Sequence, residues 1–283
     1  YLPDYYENDY KLETSNNETT ELSQFIEKYV LAIKNSNETQ GKNGIFFGRG
    51  IKEIATIRFI LIYNDLNITD VLMDSIIDAV SQTLLEAKES ISTKMDAVAL
   101  LCCIIAKYPR AYIRNKNIYQ KIFDNEDQIS AEDDFPFSSN VDSVALRISL
   151  KVLFSAMKID VHADLIELLP YLNGNIATII TVSNFIAEYL EISEEIIFSK
   201  PTESVILYNA FGWIHMSYVD IRWNATRILI ALLRNPENQD IINRQIVSLI
   251  DTDNVYIKNL ILQRISKTTG ITESTRNYIL EVC

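Results

Sequence analysis

With only 7 glycines and 6 prolines in 283 residues, the chain builds few tight turns and reads as long elements joined by short links. Cysteine and histidine are equally sparse, at 3 and 2 residues. Cys102 and Cys103 are neighbours in an apolar segment, Cys283 ends the sequence, and no CxxC occurs. A disulfide framework and a zinc site both fail for want of ligands, so no metal or cofactor is expected. Such cysteine usage points to a reducing, intracellular setting, cytoplasmic or nuclear. The longest uncharged run, AVALLCCIIA at 97–106, is far too short to cross a bilayer. No signal-peptide pattern is visible in a sequence that starts at Tyr1. Basic excess is missing as well. Against 38 acids stand 26 bases, a net charge of −12, which argues against tracking a nucleic-acid backbone and favours, if anything, a basic partner.

What is present is helical periodicity. Residues 1–20 are acidic, polar and rich in tyrosine, and read as a mobile arm. From 21 the apolar residues Leu22, Phe25, Ile26, Tyr29, Val30 and Ile33 recur at three and four. A loop is expected over 35–50. Helical segments then follow at about 51–65, 70–88, 93–107, 110–123, 141–157, 160–172, 175–190, 202–217, 219–234, 237–250, 254–267 and 272–282. Pairs such as Tyr108-Pro109, Asn235-Pro236 and Thr269-Gly270 separate them. No alternating strand pattern is found. The expectation is an all-α chain of about 13 helices, with a second long loop over 124–140.

The sequence also repeats. TKMDAVALLCCIIAKY (93–108) and SNVDSVALRISLKVLF (139–154) share an x-D-x-V-A-L core. An aliphatic–basic pair recurs near helix starts at Ile57-Arg58, Leu146-Arg147, Ile221-Arg222 and Ile257-Lys258. An acid stands five residues ahead in three of these, Glu53, Asp142 and Asp253. The spacing, about 36–46 residues with one doubled interval, is that of stacked helical hairpins, each needing two apolar flanks because one hairpin cannot bury its own apolar face. On these residues the chain resembles the HEAT/armadillo-like α-solenoids. The resemblance implies a right-handed α-α superhelix over 21–283, with acids and bases pairing along the stack, and a protein-binding inner surface.

Four local features invite a chemical reading. GKNGIFFGRGIKE (41–53) holds four glycines, but lacks the Lys-Ser/Thr of a phosphate-binding loop and the third glycine of a dinucleotide fingerprint, so it reads as a connector. KYPRAYIRNKNIYQK (107–121) is basic and interleaved with tyrosine, which makes Arg110, Tyr112, Arg114 and Lys116 candidates for holding an acidic or phosphorylated partner. An acidic stretch at 124–134 follows and could neutralise it. Arg147, Arg222 and Trp223 are the candidates on the inner-surface reading. His162 and His215 have no nucleophile placed beside them by spacing and read as packed or surface histidines.

The expected function is a non-catalytic scaffold or adaptor that holds another protein or peptide segment. Two alternatives stand beside it: an acidic, immunity-type inhibitor that caps a basic partner, and a helical-repeat enzyme acting on nucleic acid, which −12 disfavours.

Overall fold

A computed structural model describes residues 16–43, 51–64, 66–85, 90–130, 140–172, 175–193, 198–250, 255, 258–259 and 270–282. Fourteen α-helices have described bounds, and no strand occurs among the described residues. The chain divides into two compact units, Tyr1–Pro136 and Phe137–Cys283.

In the first unit the helices are α1 (Asn16–Asn43), α2 (Ile51–Tyr63), α3 (Asp70–Leu85), α4 (Ile91–Lys107), α5 (Pro109–Arg114), α6 (Lys116–Asp124) and α7 (Glu126–Ser130). Consecutive helices α1 and α2 pack together, as do α3 and α4. Across the pairs, α1 packs on α3 and α2 on α4, while α5 and α6 pack along α3. The pair α1 and α2 therefore lies against the pair α3 and α4. Helix α4 has neighbours on more than one side and buries every residue from Ala97 to Ile105. Among its described side chains, helix α1 instead buries one stripe, Ile26, Val30 and Ile33.

The second unit holds α8 (Asn140–Ala156), α9 (His162–Leu168) with a 3-10 turn at Leu169–Leu172, α10 (Ile176–Ile192), α11 (Lys200–Trp213), α12 (Val219–Leu232), α13 (Pro236–Ile250) and α14 (Glu273–Val282). Again alternate helices meet. Helix α10 packs on both α8 and α12, and α9 packs on α11. Helix α12 buries Ile221, Asn224 to Thr226 and Ile228 to Leu232, a largely apolar surface wide enough to serve several neighbours.

Local chemistry sets the ends. Ser90, Asn175 and Ser199 cap α4, α10 and α11 by accepting from the backbone N–H of Thr93, Thr178 and Thr202. Proline opens α5 and α13, where its missing N–H costs nothing.

Several sequence boundaries need correction. The loop expected over 35–50 is helical through Asn43, and 44–50 lie outside the described residues. That helix includes Gly41, so the glycine-rich stretch begins inside α1. The arm expected over 1–20 gives way to helix at Asn16, and 1–15 lie outside the described residues. The loop expected over 124–140 contains α7, and 131–139 lie outside the described residues. The single helix expected over 110–123 breaks at Asn115, whose side-chain Nδ2 donates to the Ala111 carbonyl at 3.0 Å and to Asp74 Oδ1 at 2.7 Å. Most of the segment expected at 254–267 lies outside the described residues.

Candidate partner-binding surface

The basic segment is split between α5 and α6, and its cations have different fates. Lys107 turns inward, donating from Nζ to the carbonyls of Leu61 at 2.9 Å and Ile62 at 3.0 Å, the last turn of α2. Arg114 reaches back to α3, 2.8 Å from Asp70 Oδ1 and 2.9 Å from Asp74 Oδ1. Its guanidinium holds the Asp74 carboxyl below the usual range, and Asp74 in turn raises Arg114. Arg110, Lys116 and Lys121 remain exposed and make no ion pair among the described residues. Tyr112 is half-buried, edge-on to the buried Tyr119 at 5.0 Å between centroids, and burial pushes both hydroxyls up. A rigid tyrosine beside free cations can hold an acidic segment by stacking and charge. Arg114 contributes rigidity to that surface, because its charge is engaged with α3.

The Arg114–Asp74 pair has a pH signature. A carboxylate whose folded pKa is depressed stabilises the fold above its unfolded pKa, about 3.9, and loses that contribution as pH falls through the folded value. Arg114→Ala is therefore expected to flatten the loss of stability below pH about 4, read by urea denaturation at several acid pH values. A slope unchanged from the parent would contradict the pairing.

The three inner-surface candidates lie in the second unit. Arg147 is exposed on α8. Arg222 and Trp223 are half-buried at the start of α12, and Arg222 Nε is buried without a hydrogen-bond partner. Helix α10 stands between α8 and α12. The patch candidates and these three belong to different units.

Sequence reasoning missed the side chains that join the layers. Arg227 on α12 donates from Nε to Glu191 Oε1 at 3.1 Å and from Nη1 to Asn184 Oδ1 at 2.9 Å, both on α10. Asn224 adds a bond to Ser183 Oγ at 3.1 Å. Arg234, just past α12, donates to the carbonyls of Leu190 and Ser193 at the end of α10. Burial pulls the Arg234 guanidinium down, and Glu191 offsets part of this. Glu203, only 3% exposed, accepts from Asn235 at 2.8 Å and from Asn238. A signal was available in the basic-x-Pro triplets Lys107-Tyr108-Pro109 and Arg234-Asn235-Pro236. In each, the base caps the helix two elements earlier.

No family model, curated protein or solved structure matches the chain. Among the described residues no group of three or more His, Cys, Asp and Glu could hold a metal ion, and no helix is long and apolar enough to cross a membrane. His162 Nδ1 lies 2.8 Å from Asp160, and His215 Nε2 lies 3.0 Å from the Gln245 amide nitrogen. Cys102 and Cys103 are buried, and burial pushes the Cys102 thiol well above its ordinary value.

Proposed function

We propose that the protein is a non-catalytic scaffold, a stack of helical hairpins of the right-handed HEAT/armadillo-like class, that binds another protein or peptide segment. The observation that carries this is the recurrence of layer-joining bonds. Lys34 to Ser75, Lys107 to Ile62, Arg114 to Asp74, Asn224 to Ile180, Arg227 to Asn184 and Arg234 to Leu190 span 41, 45, 40, 44, 43 and 44 residues. Those separations coincide with the period in the sequence, and packing of alternate helices is what a hairpin stack requires. Such stacks offer long, rigid surfaces whose affinity comes from a few aromatic and arginine anchors.

Arg110, Lys116 and Tyr112 form the preferred contact surface, with Arg147 a second point of attachment. The inhibitor alternative loses support because two of its acids are already engaged. Glu191 is held by Arg227, and Asp124 accepts from Gln120 at 2.9 Å. The same reading keeps the protein intracellular.

Affinity capture on the immobilised full chain tests the proposal. Several partners of modest affinity are expected, with recovery falling about tenfold, or 1.4 kcal/mol, on Arg110→Glu with Lys116→Glu. Recovery unchanged by those substitutions and by Arg147→Glu would remove both surfaces. One tight one-to-one partner, lost when Asp124 and Asp127 are neutralised, would establish the inhibitor instead.

A further inference from the structure

Resting on the scaffold reading, the geometry points to a docking face for an acidic amphipathic helix on the open flank of the α1–α2 hairpin. At about 100° per residue, Phe25 and Tyr29 fall on the side of α1 opposite Lys34, the residue that reaches α3. Phe59 and Tyr63 likewise turn away from the side of α2 that carries Ile54, Arg58 and Leu61 and faces α4. Helices α1 and α2 pack together, so both aromatic pairs belong to one hairpin. Phe25, Phe59 and Tyr63 are 52%, 61% and 57% exposed. Each pair is pre-packed, Phe25 edge-on to Tyr29 at 5.4 Å and Phe59 tilted on Tyr63 at 4.6 Å. Ordered aromatics lose little rotamer freedom on binding, so they make good anchors.

The covered flank identifies the occupant. There α3 and α4 lie against the hairpin, and each meets a cation with an aspartate. Lys34 is 3.6 Å from Asp78, and Arg58 is 3.9 Å from Asp96. On the open flank no described helix packs on the hairpin as α3 and α4 do. Lys28 and Lys52 are exposed there, with no ion pair among the described residues, in a chain of net charge −12. A helix with an apolar stripe bordered by Asp or Glu satisfies both features at once, burying the four rings and pairing the two lysines.

The test titrates two labelled synthetic helices onto the full chain at low salt, one with a leucine stripe flanked by Glu and one with the same stripe flanked by Lys. Fluorescence anisotropy should give at least about tenfold tighter binding of the Glu-flanked helix. Lys28→Glu with Lys52→Glu should invert that preference. Phe25→Ser with Phe59→Ser should abolish binding of both, and circular dichroism should stay unchanged because both positions are exposed. Equal binding of the two helices, or binding of neither, overturns the proposal. So does a concentration-dependent dimer lost on Phe59→Ser, which would make a second copy the occupant. Binding seen only after removal of residues 1–15 would make that segment the occupant and overturn it too. The capture experiment separates the two readings: partners recovered through Arg110 and Lys116 with no helix binding would end this inference and leave the scaffold standing.

Discussion

Gly270→Ala is expected to lower the unfolding free energy by about 3 kcal/mol, a large share of a typical domain's stability. Gly270 stands before α14 with φ at +89°, a conformation L side chains rarely adopt. A Cβ there would collide with the Leu233 carbonyl oxygen and come within 2.8 Å of Gln239 Nε2. Backbone cannot yield as a side-chain tip can. The Gly270 carbonyl also accepts from Asn243 Nδ2 at 3.1 Å, and Asn243 Oδ1 accepts from Thr272 N–H at 3.2 Å, so displacement of Gly270 loosens the seat of α14 on α13. Gly212 is the control. An added Cβ in α11 meets nothing within 4 Å, so Gly212→Ala should be neutral or stabilising by about 0.5–1 kcal/mol. Urea unfolding should show a clearly lowered midpoint for Gly270→Ala and an unchanged or raised one for Gly212→Ala. Equal small shifts would disprove the strain at Gly270.

Arg227→Ala should cost about 2 kcal/mol. The side chains of Arg227 and Glu191 are 13% and 23% exposed, so the carboxylate left behind is neither well solvated nor paired with its guanidinium. Loss of one partner of a fully buried pair costs about 3–5 kcal/mol, and the residual exposure reduces that figure. Arg227→Lys should recover little, because an ammonium cannot serve Glu191 and Asn184 together as the planar fork does. Arg227→Ala with Glu191→Ala should be less destabilised than the two single changes added together. A double-mutant cycle that closes to zero would show the pair to be energetically silent.

Element existence was largely legible in the sequence because burial on several sides writes itself as near-continuous apolar runs. Helices α4, α8, α10 and α12 are such cases, each found within about two residues of its expected ends. The break at Asn115 was not legible, since it depends on Asp74, 41 positions away, drawing the Asn115 amide out of a helical role. The same distance hid the joining residues. The aliphatic–basic pattern drew attention to Arg222, whereas the base that bridges α12 to α10 is Arg227, five positions on. Spacing can mark a repeat, but which base of a helix meets the previous layer depends on helix rotation. Arg58 lies 3.9 Å from Asp96 on α4, a pairing that the acid five positions ahead of each base did not point to. At the patch, charge and tyrosine spacing located the segment, and the fold then divided its cations into fixed and free.

The side chains of Lys107 and Arg234 take the place that water or a local cap would occupy at the ends of α2 and α10. A helix terminus normally frays by itself, at almost no cost to its neighbours. Here α2 and α10 can unwind from that end only after the following layer has let go, which ties the melting of adjacent hairpins together and favours one concerted transition within each unit over piecemeal peeling.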